Sequence, residues 1–416
     1  MFKINNINDL KNIPLNTTEL LFEYKFNKPV DNIVFINSIK KIKFNSYCKF
    51  NYLMDFLPEE LKVLLFNEHK NHTIDEISNF PKSLLVLKLG GKFNQKIEKD
   101  NLPNLLKQLT FGFEFNQNIE KDNLPNSLQQ LTFGFEFNHR IEKDVLPKLL
   151  TYLDLGYKFN HKIEENVLPN SITYLKLSYR FNQKIEKNVL PNSLTYLTFG
   201  NNFNQNIKKD VLPNLLTHLY FSNNFNQKIE KNVLPKLLTH LSFDNNFNQK
   251  IEKNVLPNSL THLKLGYRFN HKIEIDELPK SLLNLDLGTY FDQIIEKNVL
   301  PNSLTHLTMS SDFNQKIKKD MLPNSLLFLI LGNSFNQKIK KNVLPKSLTH
   351  LTFGFAFNQY INKGVLPNLL TQLTLGFCFN KKIKKNVLPK LLKKLIISHE
   401  YFHKLDLPLS IDIERY

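Results

Sequence analysis

The chain has 416 residues, of which 41% are hydrophobic, and a formal net charge of +17 at pH 7. That length exceeds what one ordinary globular core holds, which leaves either two or three domains or a single elongated array. The hydrophobic fraction is enough for a core, and no stretch approaches the roughly 20 apolar residues of a membrane span. Thirty-five Phe stand beside no Trp and a single alanine, Ala356, and few alanines argue against long helices. Cys48 and Cys378 lie too far apart in the chain for a local metal or redox motif, and without a disulfide framework a reducing compartment is expected. The opening MFKINNINDLKNIPL has no apolar run resembling a signal peptide. The expected location is intracellular, in the cytoplasm.

Taken in chain order, the first 80 residues carry a worn pattern that becomes regular afterwards. Pro14 is followed by Leu20, Phe22, Phe26, Asn27 and Val30; Ile36 by Ile39, Ile42 and Phe44, with Phe50-Asn51 two residues late; Pro58 by Leu61, Leu64 and Phe66. From Pro81 to Pro389, fifteen prolines then fall on a comb of 22 residues without one insertion or deletion. Twelve residues after each of the first fourteen stands Phe, from Phe93 to Phe379, followed by Asn in all but one, where Asp292 substitutes. Ile occupies the place four after each Phe, from Ile97 to Ile383. Leu and then usually Leu or Phe follow the proline at six and eight residues, as in Leu263 and Leu265. A fixed period of this length means a solenoid, a propeller or an array.

The unit reads L-P-x-S/L-L-x-x-L-x-L/F-G-x-x-F-N-x-x-I. Its L-x-x-L-x-L core resembles the leucine-rich-repeat solenoids, and the F-N-x-x-I pair with the following L-P is similar to the FNIP repeat, a leucine-rich-repeat-like unit. The resemblance implies a β-rich solenoid: a superhelix of 22-residue coils with one long parallel sheet and a mostly extended or irregular convex side. Residues 1–80 are expected to be degenerate repeats acting as an N-terminal cap, 81–388 fourteen repeats, and 389–416 a partial repeat with a C-terminal cap. Some relatives carry an F-box at the front, which implies substrate recognition for a ubiquitin ligase. Here LPEELKVLLF, residues 57–66, looks like the opening of an F-box helix, yet it also falls on the repeat register.

Alternate strand residues face opposite sides, so Leu263 and Leu265 point inward while His262 and Lys264 point out of the sheet. Each repeat's Phe, such as Phe269, should stack on the Phe of the next coil. Its neighbour Asn270 should turn its amide into backbone groups of its own and the adjoining coil. Gly follows the strand in ten units, but Ser178, Ser222, Asp244, Ser310 and Ser398 replace it, so a left-handed backbone there is not obligatory. The proline blocks a helix through its segment.

The coil leaves the outward column five residues after the proline unchosen, and there the chain places Tyr152, Tyr174 and Tyr196, then His218, His240 and His262, with His306 and His350 further on. Two readings stay open. Polar and aromatic residues suit an exposed strand face, and repeat duplication copies what was there. Alternatively, these residues with Tyr220 form the partner-binding face of a concave sheet. His139, His161 and His271 sit in a tolerant turn column where other units have Gln. A straight ladder of histidines diverges where a tetrahedral metal site needs convergence, and Lys264 disfavours a cation, so neither a metal nor a cofactor is expected.

The column after the repeat's isoleucine is mostly Glu up to Glu296 and then turns basic. It leaves K-I-K-K clusters at Lys316, Lys318 and Lys319, at Lys338, Lys340 and Lys341, and at Lys382, Lys384 and Lys385. A basic ridge could meet a polyanion weakly, but no nucleic-acid-binding fold accompanies it. No phosphate loop, H-E-x-x-H, C-x-x-C or nucleophile elbow appears, and His69 and His72 in the most deviant stretch lack an acid, base and nucleophile set. The expected function is a non-enzymatic, monomeric interaction scaffold that binds a protein. Ligase subunits are the alternative partners, and neither a membrane nor nucleic acid is expected.

Overall fold

The structure, a computed structural model, describes residues 1–23, 26, 37–45, 57–67, 80–384, 386–403 and 411–416. Two compact units divide the chain, Met1–Phe203 and Asn204–Tyr416. Among the described residues each carries ten short strands, and the only helix is the single turn and a half Ile7–Lys11, capped by Asn6 and Asp9. The expected β-rich solenoid with an irregular opposite side is what the chain forms.

In the first unit, strands Phe2–Ile4, Glu19–Phe22, Lys41–Phe44, Val63–Leu65 and Val86–Lys88 pair in parallel, each with the next, and the ladder continues coil by coil to Tyr196–Thr198. Phe2–Ile4 adds one rung upstream of the first coil legible in the sequence. The second unit runs in the same way from His218–Tyr220 to Lys394–Ile397 and ends on Asp412–Arg415. That strand is exposed throughout and carries Asp412, Glu414 and Arg415.

Register follows the comb. Leu219, Leu241, Leu263 and Leu285 lie opposite one another strand to strand, and these middle residues are buried while their strand neighbours are half-exposed or, at Lys264, exposed. Before each strand from Val86–Lys88 to Lys394–Ile397 the proline carbonyl accepts the N–H of the Leu, or once Ile172, three residues on, as in Leu106 to Pro103 at 3.0 Å. That turn aims the next Leu into the core.

On the far side of each coil the repeat phenylalanines form the expected spine. Phe247 and Phe269 have ring centroids 6.3 Å apart at 5°, and Phe269 and Phe291 6.2 Å at 8°. The upstream coils stack their strand-end rings instead, Phe22 on Phe44 at 4.8 Å and Phe44 on Phe66 at 4.9 Å. The asparagine beside each spine Phe works between coils: Asn248 Oδ1 accepts the backbone N–H of Asn270 at 3.0 Å, and Asn270 Oδ1 that of Asp292 at 3.0 Å. Where Gln follows, its side-chain amide donates to the same oxygen, as Gln293 does to Asn270.

Two glycine-like constraints separate in the structure. In the column after the strand, Gly156 and Gly288 have positive φ and Gly112, Gly134 and Gly200 do not. What glycine supplies there is closeness, since a Cβ on Gly112 would sit 1.7 Å from the Gly90 carbonyl oxygen. The two left-handed glycines each precede a coil bearing Ser, Ser178 or Ser310, and Asp154 and Asp286 hold them by accepting their N–H at 2.9 Å. Obligatory left-handed backbone falls elsewhere, in a column that reads Asp100, Asp122, Asp144, Asn166 and onward to Asn342 with φ between 60° and 67°, and then Gly364 at 79°. Asp, Asn and Gly are the residues that tolerate that conformation.

Candidate functional site

The outward column occupies the first residue of every strand from Val86 to Lys394. In the first unit the three tyrosines stack as plates, Tyr152 on Tyr174 with centroids 4.7 Å apart and Tyr174 on Tyr196 at 4.2 Å. Partial burial, with the neighbouring Tyr196 adding to it, pushes the Tyr174 phenol up to about 12, and burial followed by Asp154 raises Tyr152. Both hydroxyls are therefore donors at any physiological pH. Beside them Asp154 is buried and bridged to Lys176 at 2.9 Å, which gives that charge a structural task.

In the second unit His218, His240 and His262 stack with centroids 4.2 and 4.1 Å apart. His306 and His350 do not join that run; Phe328 lies between them at 4.3 and 4.2 Å. The threonine before each histidine settles its proton. Thr239, Thr261, Thr305 and Thr349 each donate their hydroxyl to a carbonyl of the preceding strand at 3.1–3.2 Å. Each of those oxygens also lies 2.9 Å from Nδ1 of the following histidine. A hydroxyl has one proton, so Nδ1 must be the donor in that contact, and Nε2 remains as an acceptor on each ring. The rows thus differ: tyrosine hydroxyls that can both donate and accept on one unit, imidazole acceptors on the other.

Partial burial, then the other imidazoles of the row, lowers the pKa of His218, His240 and His306. A base whose folded pKa is depressed contributes stability above its unfolded pKa, near 6.5, that is lost as pH falls through the folded value. The melting temperature should accordingly drop between about pH 7 and pH 5. His218→Gln with His240→Gln should flatten that slope, and an unchanged slope would show that other groups set it.

Around the histidine row Tyr220, His240, Ser242, His262, Lys264, Asp286 and His306 line a shallow cavity of about 420 Å³. Lys264 and Asp286 are register partners here, as Asp154 and Lys176 are in the first unit, yet no ion pair among the described residues joins them. A larger groove of about 1090 Å³ runs along Asp122, Asp144, Pro147, Asn166 and Pro169. A smaller version recurs at Asn254, Asp276 and Pro279, so it belongs to the repeat and marks no special coil.

The turn-column histidines are wall. His139, His161 and His271 each place Nε2 within 2.9–3.0 Å of the carbonyl of the preceding coil's asparagine. Among the described residues no group of three or more His, Cys, Asp or Glu is placed to hold a metal ion. Residues 57–66 form a turn and the strand Val63–Leu65, with no helix, in line with the repeat register on which they also fall. Cys48, His69, His72 and Lys385 lie outside the described residues.

One surface escaped the sequence reading. Phe113, Phe135, Tyr157 and Tyr179 stack in the column after the glycine, with centroids 4.5, 3.9 and 4.4 Å apart. Lys158 lies over Phe135 and Arg180 over Tyr157, each 5.9 Å from the ring centre. Four successive aromatics at one repeat position are the signal that would have found it. The other residues of the ridge, Lys316, Lys318, Lys319, Lys338, Lys340, Lys341, Lys382 and Lys384, are all exposed.

The model of the FNIP repeat matches successive segments from residue 71 to residue 400. The chain belongs to the FNIP repeat family. Among solved structures this FNIP chain is similar to CroV588, described as a novel circular LRR protein, at 46% identity and a TM-score of 0.72, over 95% of this chain and 68% of that one. It also resembles TLR13, solved in complex with ssRNA13, at 16% identity and a TM-score of 0.57, over 91% of this chain and 66% of the other; that likeness is one of fold. No curated protein sequence matches it. The FNIP chain is therefore a repeat scaffold of leucine-rich-repeat type, and none of its helices among the described residues is long and apolar enough to cross a membrane.

Proposed function

We propose that this chain is a non-catalytic docking scaffold whose strand faces bind a protein partner. The observation that carries the reading is the stacking of the unchosen column, Tyr152 to Tyr196 in one unit and His218 to His262 in the other. Cross-strand contact alone needs only something that tolerates a sheet surface. Rings held against one another have already lost the rotamer freedom that binding would otherwise cost. Tyrosine is also among the residues that dominate interface hot spots. Lys264 and Asp286, which no ion pair among the described residues joins, supply a charge of each sign for a partner, and leucine-rich-repeat scaffolds present surfaces of this kind.

The test compares the native chain with Tyr152, Tyr174 and Tyr196 changed to Ser, and separately with His218, His240 and His262 changed to Ser. These side chains do not fill the core, so each triple variant should lose only about 1–2 kcal/mol, the worth of its cross-strand pairs. Affinity purification with mass spectrometry should then show partners of the native chain missing from one or both variants. An unchanged set of partners would assign the stacks to the wall of the coil.

A further inference from the structure

The second unit changes its surface chemistry along one flank. From Glu230 to Glu296 an acid follows the repeat isoleucine, although the unit's first coil has Lys208 there, and the acid is used: Lys228 bridges Glu230 at 3.4 Å and Glu252 at 3.1 Å, and Lys272 bridges Glu274 at 3.1 Å. From Ile317 onward the acid disappears. The middle column becomes Lys318, Lys340, Asn362 and Lys384, with Lys319, Lys341 and Lys363 beside it, all exposed. Lys318 keeps one contact, to Glu296 of the previous coil at 3.8 Å; among the described residues no ion pair reaches Lys316, Lys340 or Lys384. The spine rings just before these lysines recur 6.2–6.3 Å apart from coil to coil, so like charges at the same place in successive coils repel one another. The coil does not require this, because Glu fills the same column elsewhere.

The remaining column carries the deciding feature. Where the neighbouring coils have Lys316, Lys338 and Lys382, one coil has Tyr360, which is 61% exposed with Lys381 lying 5.4 Å from its ring centre. An acidic protein would be served by lysines alone. An exposed aromatic ring set among cations that track along an axis is the arrangement that receives a base while the cations take the phosphates. A duplex presents no free base face, and no helix or loop here enters a groove.

We propose that this flank, from Lys316 to Lys384, binds single-stranded nucleic acid, with phosphates against the lysine columns and a base stacked on Tyr360. The site is independent of the strand-face reading, since its residues lie about ten positions past the strands. It revises the expectation drawn from the sequence, where the lysines were visible but the lost ion pairs and the exposed ring were not.

The experiment is fluorescence anisotropy of a labelled oligouridylate of about 20 nucleotides with the full chain, between about 50 and 200 mM salt. Binding should weaken steeply with salt. K318E with K340E, which restores the residue that other coils use and so keeps the fold, should weaken it at least about tenfold and make the salt slope shallower. Y360S should weaken it about tenfold with the slope unchanged. K318Q with K340Q, and circular dichroism of each variant, separate loss of charge from loss of fold. Absence of binding at the lowest salt, or binding indifferent to K318E with K340E, overturns the proposal. Binding of polyglutamate as tight as that of the oligonucleotide, with Y360S without effect, overturns it in favour of a general polyanion surface.

Discussion

Phe269→Ala is expected to lower the free energy of unfolding by about 3–5 kcal/mol, read as a shift in the urea midpoint at constant slope. The ring is 1% exposed and stacks on Phe247 and Phe291 on its two sides, so truncation leaves a cavity that opens onto two coil interfaces at once. Stability in such an array is close to a sum of coil terms and nearest-neighbour terms. One substitution therefore weakens two neighbour terms together. A loss below about 1 kcal/mol would mean that the coils collapse around the gap and that the phenylalanine column is not the spine.

Gly112→Ala should cost about 3 kcal/mol or more despite adding one carbon, because the new Cβ meets the Gly90 carbonyl oxygen at 1.7 Å and a backbone atom cannot swing away. Gly364→Asn should be neutral within about 0.5 kcal/mol. That glycine has φ of 79° and faces only the flexible stem of Lys341, and other coils use Asn or Asp at its column. The contrast distinguishes closeness from backbone conformation as the reason for glycine. Equal losses at the two sites would refute it.

Much of the architecture was legible before any coordinates, for a physical reason. A repeat states each structural demand many times over, so columns that never vary, such as Phe93 to Phe379, announce a core, and a column that drifts from Gln108 to Tyr152 to His218 announces an exposed strand face. What stayed hidden depends on angles and on neighbours across the coil. The positive φ of Asp100 through Asn342 was readable as a strict Asp, Asn or Gly choice. The Phe113 to Tyr179 stack was missed because its column is aromatic only locally. The proton on Nδ1 of His240 depends on Thr239 reaching a carbonyl of another strand, which no spacing within one coil encodes. Residues 57–66 stayed open because an amphipathic run of Leu, Glu and Lys fits both a helix and this repeat, and the pairing of Leu64 with Ile42 and Leu87 decided between them.

The asparagine ladder is directional. Within each unit its members give their backbone N–H to the coil before and their side-chain oxygen to the coil after, until Asn380, whose Oδ1 is buried with no donor among the described residues. Within a unit every interior coil therefore ends in the same half-made bond that the next one begins with. A whole coil can be cut out or copied in between equivalent residues and both new faces will mesh. Inheritance can then change the length of this protein in integers, and stretches such as the tyrosine run, the histidine run and the basic flank can be lengthened or erased without renegotiating the core beneath them.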